Sequence, residues 1–127
     1  HARVKSVLRK AAEAGIAVDD AALAAADLSG MTHPSEIALA AKLAEWPRLL
    51  EIAARTHEPH RVAFYLYDLA GELHALWNRG NEEPGLRFLQ EDDPATSQAK
   101  IALARAVSVV ISTGLGILGV TPVEEMR

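Results

Sequence analysis

Several groups of residues have the types and spacing that could do chemistry. Gly114-Leu115-Gly116-Ile117-Leu118-Gly119 satisfies the dinucleotide pattern G-x-G-x-x-G, and β-branched residues precede it. That pattern works only when a helix follows and offers its N-terminal amides to the pyrophosphate. Here eight residues remain after Gly119, Pro122 among them, and no acidic residue can stand about 20 positions further on. The glycines are therefore expected to serve tight helix packing and a C-terminal cap. His57-Glu58-Pro59-His60 offers imidazoles and a carboxylate. Metal-binding pairs need an i, i+4 spacing on one helix or a defined finger spacing, and Pro59 places these residues across a helix start, so exposed polar groups around a cap are expected and a metal site is not.

Glu82, Glu83, Glu91, Asp92 and Asp93 fall on a loop and a cap by composition. They read as solvated carboxylates rather than as a general acid–base pair, which needs a rigid, dry setting. The chain contains no G-x-S-x-G elbow and no P-loop. No catalytic site is expected in this segment.

Tyr67, His74, Trp77, Asn78 and Arg79 remain. On a helix the first three share one flank, Asn78 lies beside them and Arg79 follows. Aromatic faces with amide and cationic donors nearby suit unstacked RNA bases, each stack contributing roughly 1–3 kcal/mol. An aromatic stripe at helical spacing can equally extend a core. The residues alone leave both readings open.

The helix that carries this flank is expected over 59–79. Val62, Leu66, Leu69, Leu73 and Leu76 form an apolar seam, with Ala63, Tyr67, Ala70, His74 and Trp77 as a second stripe. Arg61, Asp68, Glu72, Ala75 and Arg79 make a narrow back. Such a helix is expected at the centre of a bundle, with one flank left over. Arg3 to Ala14 reads as a helix with Val4, Val7, Leu8 and Ala11 inward, ended by Gly15. Its cations Arg3, Lys5, Arg9 and Lys10 are read as a solvated face rather than a phosphate-tracking patch. Asp19 suits the cap of a short Ala-rich helix. Another helix starts near Thr32-His33-Pro34 and breaks or kinks at Trp46-Pro47, and its continuation runs to Thr56. A loop is expected over 80–93, pinned by Leu86, Phe88 and Leu89. The last helix starts at Pro94 after an Asp92 or Asp93 cap, and a C-terminal tail closes the 94–127 segment.

Composition agrees with an all-α fold, a helical bundle of about five helices around one central helix. Half of the 127 residues are hydrophobic, with few aromatics. One domain of this size buries about two thirds of its unfolded surface. The absence of cysteine excludes a disulfide framework and fits a reducing, cytoplasmic setting. No apolar run is read as long enough for a membrane span, and no membrane role is expected. The chain opens at His1 without Met, which suggests a piece of a longer protein. A net charge of −4 argues against a non-specific nucleic-acid binder, so any RNA contact has to be local.

The order of features resembles the C-terminal anticodon-binding (DALR) domain of class I arginyl-tRNA synthetases. His1-Ala2-Arg3 looks like the segment by which that family enters the domain. Glu58-Pro59-His60 through Tyr65-Leu66-Tyr67-Asp68-Leu69-Ala70 looks like its P-x-x-x-x-x-Y-L-x-x-L-A helix. Leu73-His74-Ala75-Leu76-Trp77-Asn78 falls on a hydrophobic-His-x-hydrophobic-aromatic-Asn pattern, and Lys100-Ile101-Ala102-Leu103 stands where Arg-Leu-x-Leu is usual. Leu118-Gly119-Val120-Thr121-Pro122-Val123-Glu124-Glu125-Met126 is similar to the family's L-G-(I/V)-x-x-P-x-(E/R)-R-M ending.

The resemblance implies a bundle that binds the anticodon stem-loop of arginine tRNA. Trp77 and Met126 would form the pocket for a base, and Tyr67, His74, Asn78, Arg79, Lys100 and Arg127 would be further RNA contacts. Trp77 in place of the usual Tyr keeps a stacking face and exchanges a hydroxyl for an indole N–H. Glu125 where Arg is common removes a cation, and Arg127 past the Met supplies one back. Lys100 for Arg keeps the charge without the planar fork. The family's reaction is ATP-dependent attachment of arginine to tRNA by an upstream catalytic domain of a monomeric parent, with ATP and Mg bound there and no cofactor in this segment. A helical protein–protein adaptor with no RNA role is the competing reading.

Overall fold

The computed structural model describes residues 2–16, 19, 33–90 and 93–119. Among the described residues the elements are α1 (Ala2–Glu13), α2 (Pro34–Ala44), α3 (Trp46–Thr56), α4 (His60–Glu82), a 3₁₀ turn (Pro84–Leu86) and α5 (Pro94–Ile117), with no strand. The architecture is all-α, as the composition predicts. The short helix expected after Asp19 falls on residues 20–30, outside the described ones.

Local chemistry sets most helix ends. After α1, Gly15 takes a left-handed φ of 80°. The Ile16 amide then donates to Ala11 O and the Gly15 amide to Ala12 O, at 3.0 Å each, a Schellman ending that turns Ile16 into the core. His33 caps α2: its Nδ1 accepts from the Ser35 amide at 3.1 Å, with Pro34 at the first helical position. Glu45 alone separates α2 from α3, where the sequence places the break at Trp46-Pro47. His57 ends α3 in the left-handed region, φ 55°, and the Glu58 amide reaches back to Ala53 O at 3.0 Å.

Asp93 caps α5. Its Oδ1 accepts from the Thr96 amide at 3.2 Å and its Oδ2 from the Thr96 hydroxyl at 2.6 Å. These bonds to the charged form hold its carboxyl below the ordinary carboxylate value.

α4 is the central helix, as the sequence predicts, and α5 packs along it. α4 packs on α5, α2, α3 and the 3₁₀ turn, while α5 also receives α1 and α2. Leu69 and Leu76 of α4 and Ile101 and Val107 of α5 are among the fully buried side chains, with Leu39 of α2. By length and composition α5 could cross a membrane, a helix of a kind the sequence reading did not expect. Here its apolar side faces α4, α1 and α2.

α4 runs three residues beyond its expected end, to Glu82. Its seam is buried as expected at Val62, Leu66, Leu69 and Leu76, with Leu73 half-buried. The second stripe does not follow it inward: Ala63, Tyr67, Ala70 and His74 are exposed, and only Trp77 is drawn to the core's edge. The buried arc extends the other way, to Tyr65. The Tyr65 ring stacks on Trp46 at 5.5 Å between centroids and its hydroxyl donates to Lys42 O. Burial, with Glu45 and Glu72 adding to it, pushes the phenol up to about 12.

The glycine triplet is packed helix and cap, not a phosphate cradle. Gly114 lies inside α5 and faces Leu66: a Cβ there would stand 2.6 Å from Leu66 Cδ1 and 3.1 Å from its Cγ. Gly119 has a φ of 79° just past the helix end.

Gly114→Ala sets an overpacking cost of about 1–3 kcal/mol against a propensity gain of about 1 kcal/mol. Because Leu66 is itself boxed in the core, the net expected in urea titrations is a loss of stability, larger for Gly114→Val. In a Leu66→Ala background the sign reverses, since the new methyl fills vacated space. An equal loss in both backgrounds would show that Leu66 is not what the glycine accommodates.

The Asp93 cap carries a pH signature. Its folded pKa lies below its ordinary 3.8, so its stabilisation is complete above that value and vanishes as pH falls through the folded one. The stability gap between wild type and Asp93→Ala should be constant near neutrality and narrow in acid. A gap unchanged into strong acid would mean the ionised cap contributes nothing.

Candidate nucleic-acid interface

Trp77 sits where α4 leaves the core. Its ring lies 5.6 Å from that of Phe88, centroid to centroid, tilted by 37°. Phe88 is buried and so is Leu86, which pins the loop after α4 as its composition predicts. Beside the indole opens a hollow of roughly 540 Å³, lined by Val7 and Lys10 of α1, Asn81, and residues of the turn and loop including Arg87 and Gln90. A hollow with an indole on one wall and cations and amides around it can receive a planar group with polar edges and nearby negative charge.

The far wall of this hollow is held by polar contacts to fixed elements. Arg87 Nε donates to Gly80 O at 2.9 Å. The Gln90 side-chain amide donates to Pro84 O and Arg87 O, at 2.8 and 2.9 Å. Ser97, buried on α5, accepts from the Gln90 amide at 2.6 Å and donates to Gln90 O at 2.7 Å. Lys100 Nζ donates to Gly85 O at 3.0 Å. The loop is short of regular structure but not of hydrogen bonds.

The remaining expected residues divide. Tyr67 is 81% exposed and His74 and Asn78 are exposed on the same side of α4. Ten residues separate Tyr67 from Trp77, about 15 Å along a helix axis, so the two rings cannot enclose one base. Arg79 is exposed, but it points to another side: its Nη1 donates to Ser35 Oγ of α2 at 2.8 Å. Met126 and Arg127 lie outside the described residues.

Lys100 corrects an expectation. It is 4% exposed, and its partner Glu36 is 5% exposed. Nζ and Oε2 are 3.3 Å apart. Its ammonium is committed to an internal ion pair and a turn carbonyl, so it presents no charge to RNA. The reason is positional: Lys100 follows Ala99 and precedes Ile101 on the buried side of α5, where a cation is tolerated only with partners.

Sequence reasoning missed Lys10 and Arg87 as site residues. Lys10 was legible as a cation on the outer side of α1, without any sign that this side borders Trp77. Nothing in the sequence sets Arg87 apart. The His57–His60 group forms a cap with surface pairs, His60 Nε2 lying 3.2 Å from Glu58 Oε2 and Arg61 Nε 3.3 Å from it. The Arg61 hydrogen bond, more than any other contact, holds the Glu58 carboxyl below its usual range. Among the described residues no three His, Asp or Glu converge as a metal site.

These features define an all-α bundle with a half-buried indole beside a hollow, bordered by one cation of α1 and one of the loop after α4. A family model described as the DALR anticodon binding domain matches residues 1–126. Arginine–tRNA ligases of Cereibacter sphaeroides (strain ATCC 17025 / ATH 2.4.3) and Paracoccus denitrificans (strain Pd 1222) are 76% and 71% identical to the chain, over 100% and 99% of its length. That of Ruegeria pomeroyi is 71% identical over 100% of it. The chain belongs to the DALR anticodon-binding domain family. It spans 22% of the length of these relatives.

The buried pair makes a prediction about stability. Lys100→Met leaves the Glu36 carboxylate and the Gly85 carbonyl without their donor, and is expected to cost about 3–5 kcal/mol in chemical denaturation. Glu36→Leu combined with Lys100→Met should cost far less than the sum of the single changes. Additive losses would mean the two groups do not depend on each other.

Proposed function

We propose that the chain recognises the anticodon stem-loop of arginine tRNA as part of an arginine–tRNA ligase. In this reading the catalytic part of a cytoplasmic, monomeric parent, outside this segment, binds ATP and Mg and attaches arginine. The observation that carries the proposal is the match of the whole chain to an anticodon-binding family, with relatives above 70% identity that are named as arginine–tRNA ligases. The half-buried indole beside an open hollow supports it independently, because base stacking needs one ring face accessible and the ring itself held.

In the proposed mechanism the Trp77 indole stacks on an unpaired anticodon base. Asn81 and loop groups are within the same hollow and can read the base edge, and Tyr67, His74 and Asn78 offer exposed groups to the rest of the loop. Met126 and Arg127 would complete the site from the tail. Phe64 and Tyr67, 66% and 81% exposed, favour a second reading, a helical adaptor that docks a protein partner.

Binding of arginine tRNA transcripts with native and substituted anticodons separates the two. The anticodon reading expects weak, salt-sensitive binding that declines when the anticodon is changed. Trp77→Ala should lose roughly 1–3 kcal/mol of affinity, as removal of one stacking face does. Equal affinity for all transcripts, or none at low salt, would refute it in favour of the adaptor.

A further inference from the structure

We propose that Lys10 and Arg87 form a phosphate clamp at the Trp77 hollow, holding the RNA backbone on either side of the base that enters. The inference rests on the anticodon-binding reading and adds the source of its affinity. The chain carries a net charge of −4, so attraction to a polyanion cannot come from the molecule as a whole. It has to come from cations placed where the RNA lies.

Two cations from unrelated elements meet that requirement. Lys10 stands in the last turn of α1 and Arg87 follows the 3₁₀ turn, yet both line the hollow that Trp77 lines. Both are exposed. Neither is held in an ion pair among the described residues, whereas Lys42, Arg55, Arg61 and Lys100 all are. The Arg87 Nε bond to Gly80 O fixes the base of its guanidinium and leaves the terminal nitrogens as a preset fork for phosphate oxygens. A nucleotide whose base stacks on the indole carries one phosphate before its ribose and one after it. A cation on the α1 side and another on the loop side of the hollow match that chemistry.

Phosphate contacts position a nucleic acid without reading its sequence. The clamp therefore supplies affinity that is blind to the anticodon, while Trp77 and the amides supply discrimination. This division gives the test. The 127-residue chain is titrated with the anticodon stem-loop of arginine tRNA and with an anticodon-substituted loop, across a salt series, for wild type, Lys10→Gln, Arg87→Gln and Arg87→Lys. Arg48→Gln, an exposed α3 cation outside the hollow, controls for net charge, and far-UV circular dichroism reports the fold.

Lys10→Gln should weaken both loops by the same several-fold factor and lower the slope of log K on log salt by about 0.7, one phosphate's share for single strands. Arg87→Gln should do likewise, and Arg87→Lys should keep most of the slope. An unchanged slope in Lys10→Gln, or an equal drop in Arg48→Gln, overturns the clamp while anticodon discrimination by wild type leaves the underlying reading intact. Binding of neither loop by wild type overturns both. Equally tight binding of poly-glutamate at the same salt assigns the cations to an acidic protein segment and overturns the clamp.

Discussion

The buried contact between Lys100 and Glu36 is the constraint on which the rest of the site depends. Withdrawing two ions from water costs several kcal/mol each unless geometry and further hydrogen bonds offset it. Here Nζ lies 3.3 Å from the carboxylate and 3.0 Å from the Gly85 carbonyl. α2, distant in sequence, is thereby tied at one point to α5 and the 3₁₀ turn. An apolar pair could fill the same volume, but it could not hold a turn carbonyl. The turn is what presents Arg87 and Phe88, so a core interaction determines where the loop wall of the Trp77 hollow stands.

From that point order passes outward through polar contacts rather than packing. Ser97 holds both backbone groups of Gln90, and Gln90 holds Pro84 and Arg87. Irregular backbone at the edge of a core has amides and carbonyls that no ladder satisfies. This loop satisfies them with its own side chains and with Ser97 and Lys100 of α5. Phe88 can then stay buried against Trp77, and the indole keeps one side on the core and another on the hollow. A stacking platform needs both: a ring that is wholly exposed must be ordered at binding, and one that is wholly buried cannot be reached.

The same division explains what the sequence made legible. Helix ends depend on a few adjacent residues, so Pro34 and Pro94 could be read as helix starts, Asp92 or Asp93 as a cap and Gly15 as a stop; Asp93 is the cap, and His33, not read as one, caps α2. The α4 seam was legible because leucines repeat at helical spacing. Which way the arc widens around that seam was not. Tyr65 and Tyr67 are the same residue type two positions apart, and only the placement of Trp46 and Lys42 sends one ring inward. Lys100 and Arg79 each have a partner that stands far off in sequence, Glu36 in one case and Ser35 in the other, and for Lys100 that partner buries the charge. Charge type is a local property of the chain, but pairing is a property of the fold.

An acidic chain in an anticodon-binding family looks contradictory only if net charge is treated as the relevant quantity. At about 0.1 M salt the Debye length is about 10 Å, so an RNA strand responds to charges near its path and little to those on a far face. Several carboxylates here are already matched within the protein: Glu36 by Lys100, Glu51 by Arg55, and Glu58 by Arg61. Such pairs cancel at any distance larger than their own separation. Lys10 and Arg87, outside such pairs among the described residues, contribute their charge at a place where the Trp77 indole is also available. The local field at the hollow can thus oppose the sign of the whole molecule, with weak repulsion elsewhere disfavouring non-specific RNA. Salt and composition together then favour a binder that holds one strand at one site over one that coats itself with nucleic acid.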